Sequence, residues 1–452
     1  MGLRAVHRVF LIACAGVVLA AMVAVMPATA TAGGLQLTVS PTVSAADTPL
    51  SIRVSGVQPG ANVTLTVTSV DADGIKWISI STYTASSAGT VNTATSPDKL
   101  VYPGIDPMVP VDLMGAPQGS PAQAAIWPFG LDVSNTTSPS FYWWAKCSLS
   151  QAQHGCTWSK PLDFTFTATS GNAHASVTVQ RGPALPVTAS FESVAATGFY
   201  GVFWQPPAGH DNHVGVVEFG GSGGGMDIPI GAMLAARGYP TLDLAYFGEP
   251  GLPKAAKDLS LEYFAKALGW LGRQPGVDPH RLWVMGWSMG SEAALLLGVD
   301  YPSSVHGVVA LAPNDVADCS SGAGSPLWTF GGKSVPCTKQ FNNTHPTDNP
   351  VAVIPVAKIH GPVLMECGGQ DSSWSSCAHS KAMMAELAAA HDTYPHELLE
   401  YPDAAHGLGM LLPYYPGIAL AEQSIGIGSS SVVADPLARA DQWPKLLAFL
   451  HN

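Results

Sequence analysis

The sequence predicts a two-domain protein, an all-β sandwich followed by an α/β unit with a mostly parallel sheet. Three observations carry this. Up to about residue 180 the chain is rich in Thr, Val and Ser in short runs that alternate apolar with polar. Beyond it, nearly continuous apolar runs alternate with helical segments. One of those runs ends in a glycine-flanked serine that opens a helix.

The N-terminus carries Arg4, His7 and Arg8, an apolar run over 9–26, and Pro27-Ala28-Thr29-Ala30-Thr31-Ala32. Basic, apolar and small-residue segments in that order read as an export signal over 1–32, cut after Ala30 or Ala32. An uncleaved anchor is the alternative, with membrane contact confined to this segment. The expected location is therefore secreted or cell envelope. Too little apolar sequence precedes Cys14 for a lipoprotein cleavage site. Beyond the signal stand Cys147, Cys156, Cys319, Cys337, Cys367 and Cys377. In an exported chain an even count suggests disulfides, and the three local couples give Cys147–Cys156, Cys319–Cys337 and Cys367–Cys377.

The sandwich is assigned to 33–180, with an immunoglobulin-like arrangement. Its strand candidates are 35–39, 50–54, 63–67, 164–167 and 177–179, each with one apolar face. It offers no catalytic set and reads as a packing or positioning module.

The α/β unit is assigned to 181–452. Its first parallel strand candidate, 214–219, is a nearly continuous apolar run, as burial on both faces requires, and leads into the series from Gly220 to Gly225. A helix follows to about Arg237, closed by Gly238. Next come a strand at 240–245 and a helix at 259–271, capped by Ser260 or Asp258. Strands at 282–286, 305–311, 363–366 and 398–401 alternate with helices at 291–298 and 380–390. A last helix runs from Asp435, with Pro436 in its first turn, to His451.

Gly286-Trp287-Ser288-Met289-Gly290 joins the 282–286 strand to its helix. Such a turn holds a serine exposed above a parallel sheet and puts the helix N-terminus beside any negative charge that develops there, which is the α/β-hydrolase arrangement. A serine hydroxyl needs a base, and the base needs an acid to orient it. In that fold the order along the chain is Ser, Asp, His. Asp371 follows the 363–366 strand, and His406, in Ala405-His406-Gly407, follows the 398–401 strand. Ser288, Asp371 and His406 are therefore the candidate catalytic residues. The expected oxyanion donors are the backbone N–H of Met289 and one from Gly221 or Ser222, with the choice between the last two open. His360, His379, His391 and His396 sit at element ends and read as solvated bystanders.

Other classes fit less well. Charged residues make up 12% of the chain, with 32 acidic and 20 basic side chains and no basic cluster, which disfavours nucleic acid. The glycine series lacks the Gly-Lys-Ser/Thr ending of a phosphate loop. No paired Cys/His spacing suggests a metal, and no cofactor is expected.

The residues resemble the family of acyl-CoA thioesterases and bile acid-CoA:amino acid N-acyltransferases. The resemblance rests on the stretch from Leu50 to Gly60, on Gly104-Ile105-Asp106-Pro107-Met108, on the run from Phe219 to Gly225, and on Leu244-Ala245-Tyr246-Phe247, Leu252-Pro253 and Ser260-Leu261-Glu262-Tyr263-Phe264. It implies an N-terminal β-sandwich and a hydrolase domain acting on acyl thioesters through a Ser or Cys, Asp, His triad, mapped onto Ser288, Asp371 and His406. Family members that transfer acyl groups to amino acids tend to use cysteine, so Ser288 favours hydrolysis. The expected function is cleavage of an acyl thioester or ester, a step of lipid metabolism, with a small acyl compound as the partner. An exported carboxylesterase or lipase-like enzyme, acyl transfer to an amine, and an envelope-binding module on an inactive hydrolase remain as alternatives. Met410-Leu411-Leu412-Pro413-Tyr414-Tyr415-Pro416 is a candidate acyl-pocket lining, and segment 318–347 a candidate stapled lid.

Overall fold

The computed structural model describes residues 28–32, 34–72, 74–99, 104–115, 156–226, 228–320 and 325–452. Residues 1–27 of the expected signal and Cys147 lie outside the described residues. The N-terminal part forms two sheets. One has strands Ala28–Ala32, Leu35–Ser40, Ser51–Ser55 and Val91–Asn92 in that spatial order. The other places Val43–Ala45, Ala173–Gly182, Leu162–Ser170, Asn62–Val70 and Lys76–Thr84 side by side. Every second residue points inward, so Leu35, Leu37, Val39, Ile52 and Val54 join one core with Val63, Leu65, Val67, Phe164, Phe166 and Val179. The polar alternates stay outside, and Thr165 and Thr167 hydrogen bond across to Thr178 and Ser176.

The second part is built on a nine-stranded sheet. Six neighbours are parallel, in the order His396–Tyr401, Val363–Gly368, Gly307–Leu311, Val277–Trp287, His213–Phe219 and Thr241–Ala245. Three antiparallel strands complete it, Tyr200–Gln205, Val187–Glu192 and Cys156–Trp158. Together with its helices this is an α/β-hydrolase sheet behind a β-rich N-terminal region. The sequence reading opened this sheet at 214 and missed the three antiparallel strands. Trp158 and Val187 are buried at the junction with the sandwich core, so these strands are apolar for reasons that local alternation does not display. The chain also crosses between the units more than once, because Cys156–Trp158 precedes the last two long sandwich strands.

The sheet order fixes where a site can form. From His213–Phe219 the chain passes through helix Ile228–Ala236 to a strand on one side. From there it returns through helix Leu261–Leu271 to Val277–Trp287 on the other. Open parallel sheets present a crevice at the carboxyl ends of strands where the winding reverses. Here that crevice lies between the ends of His213–Phe219 and Val277–Trp287, beside Gly220 and Ser288.

The two units are fastened by buried charge. Asp47 of the sandwich accepts hydrogen bonds from Arg237 Nε and from Trp443 Nε1, both at 2.7 Å. Met410, Leu411, Leu412 and Tyr415 also pack into the core that includes sandwich residues. The candidate acyl-pocket stretch thus contributes four buried side chains to that core.

Candidate active site

Ser288 stands between the strand Val277–Trp287 and the helix Met289–Asp300 with φ 56° and ψ −126°. A positive φ is uncommon outside glycine and is held only where the surroundings enforce it. The flanking glycines serve close approach. A Cβ on Gly286 would stand 2.1 Å from the carbonyl oxygen of Gly290, and one on Gly290 would stand 2.4 Å from that of Gly220. Strand end, glycine loop and helix start are thus stacked backbone on backbone, and only glycine leaves the room. The Ser288 amide is held by the Leu311 carbonyl at 3.0 Å.

Ser288, His406 and Asp371 meet although 118 and 35 residues separate the successive pairs. His406 Nε2 is 2.9 Å from Ser288 Oγ, and His406 Nδ1 is 2.9 Å from Asp371 Oδ2. All three are largely shielded from water, the His406 and Asp371 side chains being 4% and 0% exposed. The other carboxylate oxygen of Asp371 accepts the amides of Ser373 and Trp374 at 3.0 and 3.3 Å, which fixes its plane. The disulfide Cys367–Cys377 closes the loop that carries this aspartate. Two tryptophans frame the imidazole: Trp287, tilted at 5.6 Å, and Trp374, edge-on at 5.5 Å, whose own N–H donates to the Ala312 carbonyl.

The glycine loop lies against the serine. A Cβ on Gly221 would stand 2.9 Å from Ser288 Cβ and 3.3 Å from its Oγ, whereas Ser222 is exposed. Tyr246 Oη reaches both the Gly220 and Gly221 carbonyls at 2.9 Å. Those carbonyls are thereby occupied from below, leaving the amides as the groups of this loop that can turn to the site. Met289 is the first residue of its helix, so its N–H has no partner within that helix.

Segment 318–347 is anchored firmly. Cys319 is bonded to Cys337, Leu259–Ser260 pairs with Trp328–Phe330, and Trp328 is fully buried. Glu292, one turn after the serine, accepts from Trp328 Nε1 and from the Asp318 amide, each at 3.0 Å. Burial pushes the Glu292 carboxyl up to about 8 despite those donors. The far end of the segment reaches the site through Phe341, edge-on to Trp374. Through these contacts the described part of the segment lies beside Trp374. Cys156 is also disulfide-bonded.

His379 corrects another expectation. It is buried, not solvated, and its Nδ1 lies 2.5 Å from Asp315 Oδ1. Sequence reasoning also passed over Trp287, Trp374 and a group on the terminal helix Ala434–Phe449. Asp435, Arg439 and Gln442 are buried polar residues four and three positions apart on that helix. The spacing was legible as a polar stripe, but nothing in the sequence said that the stripe faces inward.

Comparison with known proteins agrees with this architecture. The family described as "Acyl-CoA thioester hydrolase/BAAT N-terminal region" matches residues 47–140. That described as "BAAT / Acyl-CoA thioester hydrolase C terminal" matches 259–321 and 329–452. Within segment 318–347, only 322–328 falls outside the second match. An acyl-coenzyme A amino acid N-acyltransferase 2 of Rattus norvegicus is 27% identical, over 90% of this chain and 94% of its own. A bile acid-CoA:amino acid N-acyltransferase of Mus musculus is 26% identical, over 92% and 97%. Acyl-coenzyme A thioesterase 6 of Mus musculus is 26% identical, but over only 54% of this chain and 61% of its own. With the two family regions covering more than half of its residues, in order and on the expected folds, the chain belongs to the acyl-CoA thioesterase and bile acid-CoA:amino acid N-acyltransferase family of α/β-hydrolases.

Proposed function

We propose that this protein hydrolyses acyl thioesters or esters through an acyl-enzyme on Ser288. The observation that carries the reading is the pair of 2.9 Å contacts of His406, one to Ser288 Oγ and one to Asp371 Oδ2. His406 Nε2 takes the hydroxyl proton as Oγ bonds to the acyl carbon, and the carbonyl oxygen gains the negative charge. The Met289 amide and one from Gly221 or Ser222 receive that charge. The intermediate collapses by expelling the thiol or alcohol, which leaves with the proton from His406. Water then repeats the sequence at the ester, releases the acid and restores Ser288. Asp371 stays ionised and stabilises the imidazolium.

The names of the relatives make acyl-CoA the first substrate class to test. Esters follow, because the sequence offers no basic cluster around the glycine loop, and Arg237 and Lys257 are paired with Asp47 and Asp258. A second reading, transfer to an amino acid, is favoured by one finding. Two relatives that align along nearly the whole chain are N-acyltransferases by name. Export is proposed with the function, supported by the apolar run over 9–26 and by the closed disulfides Cys319–Cys337 and Cys367–Cys377.

The test is reaction of the purified protein with a fluorophosphonate probe. Labelling is expected, and Ser288→Ala abolishes it while lowering turnover by at least ~10⁴-fold. No labelling, or labelling that survives Ser288→Ala, sinks the enzyme reading and favours a binding module. Hydrolysis of nitrophenyl esters and of palmitoyl-CoA, with and without an amino acid acceptor, then separates ester, thioester and transfer activity. Mass spectrometry of the N-terminus of the cell-derived protein tests cleavage after Ala30 or Ala32.

A further inference from the structure

Four backbone groups at and around His406 are held by side chains from elsewhere in the chain. The Ala405 amide donates to Asp435 Oδ1 at 2.6 Å. Arg439 Nη1 donates to the Gly407 carbonyl at 3.3 Å, and Gln442 Nε2 to the Leu408 carbonyl at 2.8 Å. Trp287 Nε1 donates to the carbonyl of His406 itself at 3.3 Å. Three of the four donors and acceptors lie on the terminal helix at positions 435, 439 and 442, a spacing that puts them on one face. Each is at most 2% exposed.

Polar side chains in that position are costly unless something requires them, since an apolar face would bury there without loss. Their bonding shows what they serve. Asp435 divides its carboxylate between Ala405 and the Ser429 amide, and Arg439 also pairs with the buried Glu422. Among the described residues the Gln442 side chain has one hydrogen-bond partner, the Leu408 carbonyl. The short helix His406–Met410 is thus set down on a polar template.

We propose that Asp435, Arg439 and Gln442 are positioning residues for His406, the terminal helix acting as a jig that fixes the imidazole against both Ser288 and Asp371. The inference rests on the catalytic reading of Ser288 for its kinetic consequence, but its structural content does not. The imidazole must meet two partners at 2.9 Å simultaneously, so a small slip of its backbone loosens one of them. The three helix residues act through the backbone of 405–408 and not on the reacting atoms.

Gln442 offers the cleanest test. Arg439 is also faced by Glu422, Glu366, Asp435, Asp106 and Asp112, all buried, and removing it would strand them. Gln442→Leu keeps the volume and removes the donor, and Gln442→Glu keeps the shape and replaces the donor with an acceptor. With circular dichroism unchanged, both variants should lower kcat about tenfold and leave KM unaltered. In both, the far-downfield proton resonance of the His406 Nδ1–H bonded to Asp371 should broaden or shift. Wild-type kcat in a folded Gln442→Leu, or an unmoved resonance, overturns the proposal. The resonance needs no turnover, so a protein that fails to react with fluorophosphonate would remove the enzyme reading while the resonance still decides the positioning role.

Discussion

The serine turn and the histidine loop are both short, buried and bent, yet they get their shapes from different sources. Ser288 is placed by its neighbours in sequence: a strand before it, a helix after it, and glycines two residues to either side that let backbones touch. His406 has less local support, a strand that ends five residues before it and a short helix that begins at the histidine itself. Its loop is held by Asp435, Arg439 and Gln442, about thirty residues further on, and by Trp287 from the serine turn. A nucleophile can be written into five consecutive residues, whereas a base must be carried to it by the rest of the fold.

The largest effect is expected where the two regions meet. Asp371→Asn offers an amide N–H to a ring nitrogen that itself should donate, which favours the wrong tautomer of His406. Turnover should fall by ~10⁴-fold with the fold intact, measured as kcat on the best nitrophenyl ester. Full activity in this variant would mean that the histidine is oriented by its loop alone.

A smaller loss is expected from the serine side. Gly221→Ala introduces a Cβ 2.9 Å from Ser288 Cβ, so the glycine loop must retreat from the serine. Misplacement of an oxyanion donor by about 1 Å should lower kcat/KM by ~10²-fold. Melting temperature should change little, because the loop has solvent beyond Ser222. An unchanged kcat/KM would show that this loop contributes no donor, leaving the task to Met289 and another group.

The same contrast explains what could be read from the sequence. The serine turn, the parallel strands and the sandwich alternation are all local patterns, and the strand runs at 35–39, 63–67 and 282–286 reappear in the sheets. Asp371 and His406 were reachable because each follows a recognisable strand. The antiparallel edge of the large sheet was not reachable, since Tyr200–Gln205 is buried by contacts with distant elements and carries no alternating pattern. His379 was misread for the same reason: its partner Asp315 lies 64 residues away. The polar face of the terminal helix looks solvated until the fold shows that it is covered.

The last prediction concerns stability and asks whether the serine turn is as self-sufficient as its sequence suggests. Glu292 stands one turn along the same helix and binds segment 318–347 through Trp328 and the Asp318 amide. Burial raises its carboxyl from the usual 4.5 to about 8, so the native protein holds a proton there that the unfolded chain releases above its ordinary value. Stability from this group is therefore complete below about pH 4.5, declines as pH rises, and is lost by about pH 8. Glu292→Gln removes the titration while keeping an acceptor for both donors. The stability of wild type relative to this variant should fall between pH 5 and pH 8 by a few kcal/mol, at about 1.4 kcal/mol per pH unit at most. Asp318, raised by burial to about 6, titrates in both proteins and largely cancels in the difference. Melting curves of the pair across that range measure it. A difference independent of pH would mean that Glu292 is ionised in the native protein, and that the segment is held to the serine helix by charge rather than by a neutral hydrogen-bonded acid.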